Sequence, residues 1–265
     1  VLRVTILGCG GSGGVPLLGG KEERGHWGAC NPAEPRNRRT RTSAVVEAAD
    51  GRRLLIDAGP DLRTQLLAVG MARMDAVAFT HTHADHVMGI DDLRIVNRVL
   101  GGPLQAYGNY VTLAELKNRF EYAFRPPTAH GFFRPALQPR PVAPGEVVEM
   151  AGMAVRIFRQ DHRVMETLGF RIGRFAYSTD VQDFPAESWA ALAGLDTWVV
   201  GCLSRGPNPV HADLEMVLRW VERLRPRRTV LTHMGVDLDW AWMAANLPAG
   251  IEAAHDGQVL EVPEG

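Results

Sequence analysis

The stretch that decides the fold is His81-Thr82-His83-Ala84-Asp85-His86, which follows the strand-like run Asp75-Ala76-Val77-Ala78-Phe79-Thr80. Three imidazoles and a carboxylate fall within six residues, just where an apolar, β-branched run stops. In extended backbone His81 and His83 leave the chain on the same side, because side chains alternate with a period of two. Asp85 and His86 are adjacent, so both reach that site only if the chain turns, and Gly89 soon afterwards is consistent with a turn. Neutral imidazole is the commonest biological metal ligand, and carboxylate suits the harder side of zinc, manganese or iron. The whole chain has nine histidines, so three in six positions point to a metal site rather than to unconnected polar residues.

Upstream, Val4-Thr5-Ile6-Leu7 reads as a buried first strand leading into Gly8-Cys9-Gly10-Gly11-Ser12-Gly13-Gly14. The loop formally satisfies G-x-G-x-x-G, but Pro16 follows at once and no amphipathic helix or second βα unit supports a dinucleotide site. A glycine loop that lets backbone pass close to the metal site is the better reading. Residues 17–41 are loop-like and end in Arg36, Arg38, Arg39 and Arg41, expected mostly as a solvated charged face. Thr42 to Ala48 and Arg53 to Ile56 are strands joined by the hairpin turn Asp50-Gly51, and the second ends in Asp57-Ala58-Gly59-Pro60. Leu62 to Val69 is a helix by spacing and stops at Gly70.

Downstream, Asp91 to Leu100 reads as a helix, Leu104 to Tyr107 as a strand, and Thr112 to Tyr122 as a helix capped by Thr112. Phe124 to Pro144 carries six prolines and several aromatics, and an active-site flap is expected there. A lone loop histidine more often meets solvent or substrate, so His130 stays outside the ligand set. Four strands follow: Val147 to Met150, Met153 to Arg159, Thr167 to Ile172 and Arg174 to Ser178. Gln160-Asp161-His162 and Ser178-Thr179-Asp180 interrupt them with polar residues at strand ends. Pro185 to Ala193 is a helix, Asp196 to Cys202 a buried strand, and His211-Ala212-Asp213 opens a helix running to Arg223. Arg228 to Leu231 is a strand ending in Thr232-His233-Met234-Gly235, before a helix from Asp237 to Asn246 and two closing strands.

A chain of 265 residues, 46% hydrophobic and 22% charged, has room for one large α/β domain, expected to span residues 1–265. The net charge of −1 argues against a broad nucleic-acid or membrane surface. Lys21 and Lys117 are the only lysines among 29 basic residues, and arginine's planar fork suits phosphate and carboxylate. Cys9, Cys30 and Cys202 form no C-x-x-C and are too few for a disulfide scaffold. With no signal-peptide pattern and no apolar stretch long enough for a bilayer, a cytoplasmic location is expected.

The H-x-H-x-D-H spacing after a hydrophobic strand resembles the signature of the metallo-β-lactamase fold. The resemblance implies a four-layer αββα sandwich with a one- or two-metal site at one edge of the sheets. Carried over residue by residue, it assigns His81, His83 and His162 to one metal and Asp85, His86 and His233 to the second, with Asp180 bridging; Asp57 braces the histidine loop. Two divalent ions roughly 3.5–4 Å apart would repel each other without anionic bridges, and the second bridge would be a hydroxide nucleophile. The ions expected are Zn2+ or Mn2+, with iron also open. Asp85 and His211 are the residues given a catalytic role. In the phosphodiesterase branch a histidine placed like His211 contacts the phosphate and assists the leaving oxygen.

The closest resemblance is to the PhnP-type cyclic phosphodiesterases, on Gly8-Cys9-Gly10-Gly11-Ser12-Gly13-Gly14-Val15-Pro16, the Asp57 strand, Ser178-Thr179-Asp180 and Leu231-Thr232-His233-Met234-Gly235. That family usually carries a further structural zinc. Here His26-Trp27-Gly28-Ala29-Cys30 keeps one cysteine and Val236 stands where a ligating histidine would be, so no such site is expected. Trp27 packing and arginine pairing are expected to hold the loop instead. The function implied is hydrolysis of a phosphodiester, a small cyclic phosphate first, with a small anionic substrate as partner and a homodimer left open. RNase Z activity is a weaker variant, since no long arm for tRNA is visible. Lactone or thioester hydrolysis on the same core, a PqqB-like iron-dependent oxygenase and a non-catalytic metal-binding scaffold remain as alternatives.

Overall fold

The computed structural model describes residues 1–127 and 131–263, so His130 lies outside the described residues. The first sheet contains β1 (Leu2–Gly8), β2 (Ser43–Glu47), β3 (Arg53–Ile56), β4 (Ala76–Ala78), β5 (Leu104–Gly108) and β6 (Leu137–Pro141). The second contains β7 (Val147–Met150), β8 (Met153–Asp161), β9 (Glu166–Ile172), β10 (Phe175–Ser178), β11 (Thr197–Gly201), β12 (Arg228–Thr232) and β13 (Ile251–Ala253). A last strand, β14 (Val259–Val262), returns to the first sheet. The orders are β14-β1-β2-β3-β4-β5-β6 and β13-β12-β11-β10-β9-β8-β7. Each sheet is antiparallel over four strands and parallel over the rest: β14 to β3 are antiparallel and β3 to β6 parallel, and β7 to β10 are antiparallel and β10 to β13 parallel.

Alternation along the first sheet explains the layering. Val4, Ile6, Ala44, Val46, Leu54, Ile56, Ala76 and Ala78 enter the core shared with the second sheet. Their neighbours Leu7, Val45, Leu55 and Val77 enter a second cluster with Leu62, Leu66, Leu93 and Val96. Successive residues of a strand face opposite sides, so this sheet is covered on both. The outer cover comes from α1 (Leu62–Val69) and α3 (Leu93–Leu100), while the one-turn α2 (Ala84–Val87) carries the histidine loop. Also present are α4 (Tyr110–Arg119), α5 (Ala186–Ala191), α6 (Leu214–Leu224) and α7 (Trp240–Asn246). Val217 and Trp220 of α6 and Met243 of α7 pack into the core of the second sheet. The result is the αββα sandwich. No helix among the described residues is long and apolar enough to cross a membrane.

Several expectations need correction. The fourth helix starts at Tyr110, not Thr112: Asn109 is its N-cap, and its side-chain oxygen accepts from the Thr112 amide at 2.7 Å. The proline-rich stretch from Phe124 to Pro144 is not all flap, since β6 lies within it and pairs in parallel with β5. This strand is the sheet's edge, where Pro139 and Pro141 are tolerated. The helix expected to open at His211 begins at Leu214, with Asp213 as N-cap accepting from the Met216 amide. Arg39, expected on a solvated face, is buried. Its Nη1 donates to the Gly235 carbonyl at 3.1 Å, and Nη2 donates to Leu238 O at 2.5 Å and Asn37 Oδ1 at 3.1 Å.

Candidate metal centre

The site gathers at the ends of strands from both sheets. Beyond β4 come His81 and His83, with Asp85 and His86 in the α2 turn. From the second sheet come His162 after β8, Asp180 after β10 and His233 after β12. Asp57, Asp180 and His233 all have positive φ, at 62°, 49° and 54°. A non-glycine residue adopts this left-handed region rarely and at a cost, and here it occurs where a side chain must be aimed sharply at a strand end.

The ligand-type atoms form two groups. His81, His83, His162 and Asp180 each offer one atom within 4.8 Å of the others, and so do Asp85, His86, Asp180 and His233. Asp180 belongs to both, and its two oxygens divide between them. Oδ2 lies 3.6 Å from His81 Nε2 and 3.6 Å from His162 Nε2; Oδ1 lies 3.2 Å from both His86 Nε2 and His233 Nε2. Asp85 Oδ2 is 3.2 Å from His86 Nε2 and 3.4 Å from His233 Nε2. Atoms bound about 2.1 Å from one tetrahedral ion sit about 3.4 Å apart, which is the range seen.

The remaining ring nitrogens are mostly engaged behind the site. His86 Nδ1 is 2.7 Å from Asp57 Oδ2, His81 Nδ1 is 2.9 Å from Thr80 Oγ1, and His162 Nδ1 is 2.7 Å from the Val210 carbonyl. Such contacts fix ring orientation and leave Nε2 facing inward. Nε2 of His81 and of His86 is buried without a hydrogen-bond partner. Buried polar atoms are normally satisfied, so these orphans fit a group held between them. The donor set, imidazole with carboxylate, suits zinc, manganese or iron.

The histidines keep both carboxylates of the centre ionised. Burial opposes the Asp180 charge, yet His233, His86 and His81 outweigh it and hold the carboxyl well below its usual range. Burial likewise opposes ionisation of Asp85, and His233 and His86 reverse it. His86 is pulled down by burial and pushed up further by Asp180 and Asp57, ending well above an ordinary histidine. Burial, then repulsion from His86, keeps His81 neutral. Asp57 is raised by its complete burial, against the pull of His86 and Thr80.

His211 reaches the same place from the loop before α6. Its Nδ1 lies 3.9 Å from Asp180 Oδ2, and its ring centre is 4.6 Å from that of His162 and 4.9 Å from that of His233. Burial first, then His233, lowers its pKa to about 3. His83 and His211 are half-buried while the other site residues are buried, which marks the open side of the centre.

The sequence reading missed the residues that hold these loops. Asn208 Oδ1 accepts from the amides of Val210 and His211 at 3.0 Å each, and Gln182 Nε2 donates to Asn208 O at 2.9 Å. An Asn-Pro pair is a turn signal that could have flagged Asn208. Thr179 Oγ1 donates to Asp180 Oδ1 at 2.8 Å. Asp256 accepts from the Cys9 amide at 3.1 Å and the Thr40 amide at 2.8 Å, bracing the glycine loop. Within that loop a Cβ on Gly10 would meet the backbone carbonyl oxygens of Arg39 and Thr40 at 2.9 Å each, so glycine lets the two backbones pass there.

A family model for the β-lactamase superfamily domain matches residues 52–234, which span the histidine loop, His162, Asp180 and His233. The chain belongs to the metallo-β-lactamase superfamily. Within this superfamily it is similar to a solved structure of a new diphosphatase from the PhnP family, at 35% identity and a TM-score of 0.87. That match covers 98% of this chain and 96% of the other. It is 32% identical over 234 residues to an octanoyltransferase of Porphyromonas gingivalis, covering 88% of this chain but 46% of that protein, so the chain spans less than half of that relative. It is also 29% identical to a ribonuclease Z of Mycobacterium sp. (strain KMS), over 87% of this chain and 93% of that one. The superfamily includes hydrolases of several bond types, so the two His/Asp groups and the loop carrying His211 decide how this member is read.

Proposed function

We propose that this metallo-β-lactamase superfamily member is a hydrolase that uses two divalent ions, zinc or manganese, to cleave a small disubstituted phosphate, a cyclic phosphodiester first. The observation that carries this reading is His211, seated beside Asp180 on the open side of the centre. Likeness to a PhnP-family diphosphatase and to a ribonuclease Z supports phosphorus as the attacked atom.

His81, His83 and His162 would hold one ion and Asp85, His86 and His233 the other, with Asp180 shared. Ions held there supply Lewis acidity at phosphorus and lower the pKa of an attacking water. The chain's own residues supply the rest. Asp180, kept ionised by three histidines, fixes the separation of the two groups. Asp57 and Thr80 lock the orientation of the His86 and His81 rings. His211, neutral while burial and His233 hold its pKa down, takes up a proton beside the charge of the bound phosphate and donates it toward the departing oxygen, and Asn208 and Gln182 hold its loop.

The test is His211→Ala, assayed on two diesters that differ in leaving group. Turnover of an alkyl diester falls about 10²–10⁴-fold, the usual contribution of general acid catalysis. A nitrophenyl diester, whose leaving group needs no proton, falls much less, and metal content is unchanged. Equal turnover of the alkyl diester by variant and wild type removes the assignment. A second reading, acyl hydrolysis, draws on the octanoyltransferase likeness. It predicts faster cleavage of a lactone or thioester than of any diester, with no dependence on His211.

A further inference from the structure

A groove of about 720 Å³ lies between α5, the turn before β7, and strands β8 and β9, with Pro144, Val147, Ala154, Phe158 and Ala191 among its apolar lining. Arg156 and Arg171 line it too, and they are direct cross-strand partners in the β8–β9 register. Like charges placed opposite each other on a sheet destabilise it, so this pairing calls for a counter-charge. Among the described residues none is supplied. The side chain of exposed Arg156 makes no hydrogen bond or ion pair. Glu187, the acid of the lining, is taken by Arg159 at 2.6 Å, and Glu146 caps its own turn on the Ala143 amide.

Arg171 is fixed in place. Its Nε donates to Gly173 O at 2.8 Å and its Nη1 to Ala191 O at 2.6 Å and Ala193 O at 2.7 Å. The guanidinium is thereby oriented without being neutralised, and Nη2 is left free. Burial, then the charge of Arg156, holds Arg171 below its usual pKa, as expected for a crowded cation. Six residues separate Arg156 from His162, so along the strand the groove lies about 20 Å from the metal centre.

We propose that this groove binds a small organic phosphate, its dianion held between Arg156 and Arg171 and its apolar body against the alanine, valine and proline wall. A phosphate monoester offsets both guanidinium charges and accepts from both forks, whereas a carboxylate offsets one. The proposal is independent of the reaction assigned to the metal centre.

Phenyl phosphate is the probe, titrated calorimetrically into the metal-loaded wild type, R156Q and H211A. Arg156 is exposed and unpaired, so R156Q should fold as the wild type does. The expected result is a binding event that H211A retains and R156Q weakens by at least about tenfold. Inorganic phosphate, lacking the apolar body, and benzoate, lacking the second charge, both bind more weakly than phenyl phosphate. In crystals soaked with phenyl phosphate, density lies between the two arginines. Equal affinity in R156Q and wild type, binding that H211A abolishes, or no binding at millimolar probe overturns the proposal.

Discussion

The two sheets furnish the candidate metal centre in opposite ways. The first sheet places four ligand-type residues in one six-residue stretch and supports them with Asp57, whose oxygens accept from the Thr80 amide at 2.8 Å and Thr80 Oγ1 at 2.8 Å. The second sheet gives one residue from each of three strand ends, and each depends on a separate loop. His162 is held by the Val210 carbonyl, Asp180 by Thr179, and the backbone after His233 by Arg39 through Gly235. A clustered set stands or falls as a unit, whereas a dispersed set can be weakened one member at a time.

Removing the shared residue breaks the comparison outright. Asp180→Ala leaves His81, His83 and His162 with no carboxylate among them and His86 and His233 with Asp85 alone, and turnover drops to background with both ions lost, as elemental analysis would record. On the clustered side, Asp57→Asn frees the His86 ring and weakens metal affinity by about 10–100-fold, the usual cost of losing such a support. Half occupancy is expected at sub-saturating metal, with the His81, His83 and His162 group retained. Uniform loss from both groups would mean that Asp57 supports the whole centre.

On the dispersed side, Arg39→Ala strands the carbonyls of Gly235 and Leu238, and a loss of about 2–4 kcal/mol in denaturant unfolding is expected. Arg39→Lys restores part of it. Asn208→Ala has the smallest effect. It removes two hydrogen bonds from the His211 loop, lowering turnover roughly fivefold to thirtyfold at about 1 kcal/mol per bond, with metal content untouched. Should N208A lower metal content, the loop serves His162 through Val210 rather than His211.

The same contrast explains what could be read in the sequence. The histidine loop is legible because its ligand-type residues are local and spaced for extended chain. The sheet order is less so, and the strand-end polar residues His162, Asp180 and His233 joined the candidate set through the resemblance to the metallo-β-lactamase fold. Long-range closures were not legible. Cys9 meets Asp256 across 247 positions and Arg39 meets Leu238 across 199, and neither leaves a local pattern. Burial of Arg39 in an arginine-rich loop ran against composition, because carbonyls rather than carboxylates satisfy it. The edge strand β6 was hidden by its prolines, and the start of α4 by two cap-forming residues three positions apart, of which Asn109 is the cap.

The most direct test of the central claim is metal stoichiometry, measured by elemental analysis on the purified wild type and on Asp180→Ala. Two ions per chain in the wild type, with neither held tightly in the variant, is the predicted result. One ion per chain, three ions per chain, or a variant that keeps its full complement would contradict a centre built around the two oxygens of Asp180.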